Sequence, residues 1–264
     1  MAFEGWNDAG EAASAAVDHL IETFSVKKIF TFDPEPYYDF QVNRPIIRTN
    51  FDGKREIQWR TTHIYKAEVS NGKQLFLIRG VEPSMHWKSF SKDFLNQLKA
   101  HKIDTVIALG ALLSDTPHTR PISVTAVALD QAVADKFDVE ISQYEGPTGI
   151  IGVLQQEIVE AGLAGLSLWA AIPHYVSQPP SPKATMALLD HLDNLLDLPI
   201  PLGDYPERTE LWLQQVNALI QNDEDVAEYV SNLEQEGDVS DLPMASGDAI
   251  AKEFERYLRR RDDT

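Results

Sequence analysis

No cysteine occurs among the 264 residues, which excludes disulfides, thiolate nucleophiles and cysteine-bound zinc and fits a reducing, cytoplasmic setting. Basic residues are scarce as well: 23 Lys and Arg stand against 41 Asp and Glu, a formal charge of −18. Phosphate backbones are held by clustered Lys and Arg, so neither a nucleic acid nor an anionic membrane surface is expected as a partner. Apolar runs are short. The stretches at 107–113 and 162–173 fall below the roughly 20 residues that span a bilayer. The first Lys comes only at position 27, so the opening residues lack the basic start of a signal peptide. Several motifs are missing too: there is no Walker loop, no G-x-G-x-x-G, no G-x-S-x-G elbow and no H-x-x-x-H pair. Neither a metal nor a cofactor is expected.

What is present is a 43% hydrophobic content, enough to fill a real core. Met1–Glu4 reads as the tail of a strand, and a strand of ordinary length needs a few more residues upstream. Gly5-Trp6-Asn7-Asp8 then turns into a helix from Ala9 to about Thr23, with Ala13, Ala16, Val17, Leu20 and Ile21 at helical spacing. A short strand follows at Val26–Phe32. Between Ile46 and Arg79 the pattern is antiparallel: Asp52-Gly53 and Asn71-Gly72 each separate two β-like runs and supply the positive φ of a tight hairpin. From Met85 onward helices (86–99, 149–162, 183–196) interleave with strands (104–110, 122–128, 167–172). That alternation predicts an α/β fold, with a mostly parallel mixed sheet covered by helices on both faces.

A Pro-rich break at Pro199–Gly203 divides the chain into a core of residues 1–202 and an extension of 203–264. The extension holds 16 acids and 6 bases, net −10, leaving −8 for the 202-residue core. It carries three amphipathic helix patterns, the third capped by Ser246 with Ile250, Phe254, Tyr257 and Leu258 on one face. An all-α appendage is expected.

Ligands in open α/β sheets bind beyond the carboxyl ends of the strands, and five polar, Gly/Pro-punctuated segments fall there. Each candidate residue has a chemical and a structural role open to it. Asn7 and Asp8 are either orienting groups or helix caps. Glu82 is either a general acid or base, or a first-turn acid favoured by a helix dipole. Thr148, in Gly146-Pro147-Thr148-Gly149, either presents an anion cradle or forms a turn. His118 and Arg120, between Pro117 and Pro121, fall on one side of an extended segment and suit a carboxylate or phosphate; alternatively Arg120 pairs with a neighbouring acid. His174, beside Tyr175, is either a ligand or a satisfied core histidine. Trp87 reads as packed in the core or in an interface.

These same segments resemble the proteasome assembly chaperone 2 family. The likeness is carried, in order, by Glu4–Gly10, Tyr38–Pro45, Gly80–Pro83 with Trp87, Pro117–Pro121, Tyr144–Gly149 and Pro173–Val176. It spans about residues 1–200 and points to the actinobacterial branch, whose members carry a similar helical extension. The resemblance implies a fold similar to the phosphorylase/hydrolase-like one, and oligomerisation, since eukaryotic relatives pair to assemble proteasome α-rings. It implies no reaction. The eukaryotic chaperone docks through a hydrophobic-tyrosine tail; the sequence here closes on Arg260-Arg261-Asp262-Asp263-Thr264, and that docking mode is not expected unless the chain continues.

Two functions are therefore expected in competition. One is an assembly-chaperone-like interaction module that associates with itself, with a partner protein meeting the helical extension. The other is a binder or enzyme for a nucleoside- or phosphate-like anion at the strand edge. In it Glu82 and His118 are the acid/base candidates, Arg120 and Thr148 the anion cradle, and Asn7, Asp8 and His174 the orienting groups.

Overall fold

The computed structural model describes residues 1–69 and 73–235. In chain order, β1 (Ala2–Glu4), α1 (Ala12–Thr23) and β2 (Val26–Thr31) come first, with a 3-10 turn before α1. An antiparallel region follows, of β3 (Ile46–Thr49), β4 (Arg55–Gln58), β5 (His63–Ala67) and β6 (Leu75–Val81). Next come α2 (Trp87–Ala100), β7 (Thr105–Ser114), β8 (Val124–Ala128), α3 (Gln131–Phe137) and β9 (Glu140–Ile141). The chain then runs through α4 (Ile150–Glu160), β10 (Ala164–Pro173), α5 (Pro182–Leu196), α6 (Tyr205–Gln221) and α7 (Glu224–Gln235). The Asn71-Gly72 turn and the third amphipathic pattern of the extension lie outside the described residues.

Two four-stranded sheets, β2-β5-β6-β1 and β7-β10-β8-β9, meet edge to edge. The seam lies between β1 and β7, where Leu109 N donates to Met1 O and Ala111 N to Asn7 O, both at 2.8 Å. The four central strands β6, β1, β7 and β10 thus run parallel, and β5 and β8 flank them antiparallel. The expected mixed α/β layout is present.

Side-chain alternation along the strands divides the core into two layers. Ala2, Leu109, Ala111, Leu168, Ala170 and Ile172 face α1 and α5, whose Ala12, Ala13, Ala16 and Ala184 let the helix backbones lie close to the sheet. Phe3, Ile64, Ile78, Val106 and Ala108 face α2 and α4. In α2 the fully buried Phe90, Phe94 and Leu98 recur every four residues, so one stripe of the helix enters the core. Burying each such side chain contributes roughly 1.5–3 kcal/mol. Helix α6 packs on α5 through Tyr205, Thr209, Trp212 and Val216, a helical stripe, and Tyr205 joins the first core layer.

Asp52-Gly53 forms the expected turn, with φ of +76° at Gly53, and joins β3 to β4. That hairpin pairs with neither sheet; it is a two-stranded arm with every strand residue exposed. Helix α3 and the two-residue β9 were not anticipated from the sequence. The helix begins where Asp130 accepts a hydrogen bond from Val133 N, an ordinary N-cap.

Candidate functional site

Register places the candidate segments together on one edge. Glu4 pairs with Val81 and Ser114 with Pro173, so residues after β1, β6, β7 and β10 all leave the sheet on the same side. They divide there into two groups.

The first group lies between β1 and α4. Glu82 accepts from Ile150 N at 2.8 Å, at the first turn of α4, and from Trp6 N at 3.3 Å. The α4 N-terminus that Thr148 and Gly149 present is thus already met by the chain's own carboxylate. Gly149 is needed for close approach: a Cβ there would sit 2.1 Å from Asn7 Oδ1 and 2.8 Å from Glu82 Oε1. Asp8 is buried and accepts from Ala13 N and Ser14 N at 2.7 and 3.2 Å, capping α1. Burial pushes its carboxyl up to about 6, against the Ser14 and Ala13 hydrogen bonds and the Arg79 charge that pull it down.

The second group lies on the α5 side. Pro117–Arg120 is a turn, closed by Arg120 N on Pro117 O at 3.3 Å, and this differs from the expected extended segment. The turn sends the two side chains to different places. His118 is buried, with Nδ1 2.8 Å from the Tyr175 hydroxyl and Nε2 2.8 Å from Asn217 Oδ1 on α6. His118 N also donates to that hydroxyl, at 2.6 Å. The set closes if Tyr175 donates to Nδ1 while Nε2–H donates to Asn217. Burial pushes Tyr175 up to about 12, so it keeps its proton. Arg120 Nη2 donates to Glu234 O, and Thr119 Oγ1 to Glu234 Oε1, both on α7. Lys183 Nζ ties the turn to α5 through His118 O and Arg120 O at 2.6 and 2.5 Å. His174 meets Asp115 at 3.2 Å and packs edge-on against Tyr175 and Tyr229. So His118, Arg120 and His174 come together with α6 and α7, apart from Asn7, Asp8, Glu82 and Thr148.

Asn7 and Thr148 border a cavity of about 460 Å³ between α4 and the β10–β8 part of the sheet. Trp6, Tyr144, Val127 and Trp169 make its apolar walls. Among the described residues Glu157 is the one charged side chain lining it, and neither Arg120 nor any Lys of them does so. Trp6 and Tyr144 entered the sequence analysis only as parts of segments, and Trp169 and Gln155 were missed. Gln155 was detectable as a polar residue on the apolar stripe of α4; its Nε2 donates to Leu166 O at 2.9 Å. Among the described residues no group of three His, Asp or Glu is placed to hold a metal. No helix among them is long and apolar enough to cross a membrane.

A second surface went unrecognised in the sequence. On one face of the β3–β4 arm, Ile47 pairs across the strands with Ile57, each 56% exposed. Trp59 continues that face by alternation, its ring 4.6 Å from that of Phe40, and Phe51 stands wholly exposed at the tip. The base of the arm is fastened to the body. Tyr38 donates to Val81 O at 2.9 Å, Asn43 Nδ2 to Ser84 Oγ at 3.0 Å, and Ser84 N to Tyr37 O at 2.8 Å. The Tyr38–Pro45 segment therefore sets the angle at which the arm leaves the fold.

Comparison with known proteins fits this architecture. The PAC2 family model matches residues 2–220. A PAC2 family protein from Streptomyces avermitilis is 50% identical, with a TM-score of 0.81 over 87% of this chain and 97% of its own. A proteasome-assembly chaperone homologue from Mycobacterium tuberculosis is 46% identical, with a TM-score of 0.77 over 87% and 98%. An archaeal proteasome activator from Pyrococcus furiosus, at 16% identity and a TM-score of 0.67 over 83% and 92%, shares the fold. No curated protein matches the chain. With the family model covering most of its length, the chain belongs to the PAC2 family.

Proposed function

We propose that this chain is a protein-interaction module of the assembly-chaperone kind, working in the cytoplasm as a homo-oligomer and taking a proteasome component as partner. The β3–β4 arm carries the reading. A two-stranded hairpin is marginal on its own in water, and its exposed Ile47 and Ile57, with Trp59 beside them packed on Phe40, form an apolar face of the sort that marks protein contacts. The name of the 46%-identical relative supports the choice of partner. A second contact is proposed for the acidic extension, residues 203–264, where α6 leaves Leu211 and Leu219 exposed. The parallel centre of the sheet supports the likeness to the phosphorylase/hydrolase-like fold. An anionic small-molecule ligand is the weaker reading, because Glu157 is the charge on the cavity wall and Glu82 fills the α4 N-terminus.

The test uses the full chain as bait in a native lysate, beside an Ile47→Asp/Ile57→Asp variant. A proteasome subunit is expected in stoichiometric amount with the first and depleted with the second. Recovery of the bait alone, or equal recovery by both, contradicts the proposal.

A further inference from the structure

Two apolar surfaces are left without a cover by the described residues, the arm and the cavity. The arm is inserted between β2 and β5, and its base is held by Glu4, Val81 and Ser84 beyond the carboxyl ends of β1 and β6; the cavity lies over β10 and β8. On the cavity side α4 packs on β1, β7 and β10. β8 extends beyond that helix, leaving Thr125 and Val127, the register partners of Trp169 and Ser167, as floor. No residue of 44–59 lines the cavity of its own chain.

The two surfaces are complementary in charge as well as in apolar character. Residues 44–59 hold four bases, Arg44, Arg48, Lys54 and Arg55, against Asp52 and Glu56. This net +2 stands out in a chain of −18. The cavity has Glu157 on its wall and the exposed Glu145 between lining residues Tyr144 and Gly146, with no Lys or Arg among the described residues that line it. A positive apolar blade and a negative apolar slot attract each other once they are within a Debye length of about 8–10 Å, and exclude water on contact; farther apart, two copies of net −18 repel. A volume of about 460 Å³ lies in the usual range for a pocket that swallows a compact apolar group.

We infer that the arm of one copy inserts into the α4–β8 cavity of a second copy, Ile47, Ile57 and Trp59 seating against Trp169, Val127 and Tyr144. The contact is heterologous, the arm of one copy meeting the cavity of the next, so its repetition builds a closed ring or an open filament according to the rotation between copies. The occupant of the cavity is then a protein side-chain cluster and the residues bordering it, Asn7 and Thr148 among them, belong to a subunit interface. The inference rests on the self-association proposed above.

A mixing experiment by sedimentation velocity tests it. An arm variant, Ile47→Asp/Ile57→Asp, retains its cavity; a cavity variant, Val127→Glu, retains its arm, and Val153→Glu on α4 replaces it if the strand substitution impairs folding. The wild-type chain should sediment as an oligomer at about 10–100 µM, and each variant alone as a monomer, its association weakened by roughly 100-fold or more. An equimolar mixture should give a dimer and nothing larger, because one intact arm meets one intact cavity. A mixture that stays monomeric, or an arm variant that assembles like wild type, overturns the inference while leaving self-association standing. A wild-type chain that is monomeric throughout overturns both.

Discussion

Two antiparallel strand pairs stand side by side in the sequence, β3–β4 and β5–β6, and they have opposite fates. Each sets one isoleucine directly opposite another across its two strands. In β5–β6, Ile64 and Ile78 face each other at 0% and 3% exposure beneath Phe90 and Phe94. In β3–β4 the corresponding cross-strand pair, Ile47 and Ile57, meets solvent. The absorbed pair has strands on both sides, β2 and β1, so its backbone groups and one face are satisfied within the chain. The arm has neither. Apolar content is the same in kind; what differs is whether the described residues supply a cover, and the proposed contact falls where they do not.

The largest expected effect is on the absorbed pair. Ile64→Ala removes fully buried volume and should lower unfolding stability by about 2–5 kcal/mol in denaturant titration. A loss below about 1 kcal/mol would mean that the two pairs are not so different in burial.

Next in size is a pH effect that belongs to β5 alone. His63 bonds the Thr31 hydroxyl through Nδ1 at 3.0 Å. Burial, with Lys28 and Arg79 nearby, lowers its pKa to about 4. The unfolded chain takes up this proton near pH 6.5 and the folded one only near 4. Its contribution is therefore full above about 6.5, and stability falls as the pH drops through that window, by about 1–2 kcal/mol after solvent screening. His63→Gln should flatten the difference in stability between pH 6.5 and pH 4 relative to wild type. An unchanged slope would remove His63 from the account.

The smallest effect on stability is expected in the arm. Ile47→Ala/Ile57→Ala should change the unfolding free energy of the isolated chain by less than about 1 kcal/mol, since exposed sites are usually near neutral. Association should weaken nonetheless. A stability loss as large as that of Ile64→Ala would show the arm to be covered within its own chain.

The fold was readable in the sequence where local signals agree with burial. Ala13, Ala16, Val17 and Leu20 fixed α1, and Gly53 fixed its turn. The arm's separation from the sheet was not readable, because Ile46–Gln58 has the same alternation as a strand pair that joins one. Telling them apart takes the tertiary pairing itself: β5 lies between β2 and β6, whereas β3 and β4 pair with each other. The edge site was readable as a set of segments but not as two groups. Separating Thr148 from Arg120 requires knowing that α4 covers one face of the sheet and α5 the other. It also requires α6 and α7 to fold back, so that Asn217 and Glu234 take up His118 and Arg120. Trp169 was missed because a buried aromatic in a strand gives the same pattern whether it packs in the core or walls a cavity.

The central claim, that the arm is a contact surface between copies, is tested most directly by amide hydrogen exchange on the full chain at low and high concentration. Amides of residues 46–58 should exchange several-fold more slowly at about 100 µM than at about 1 µM, while those of β5 and β6 stay protected at both. Concentration-independent exchange throughout the arm would contradict the claim.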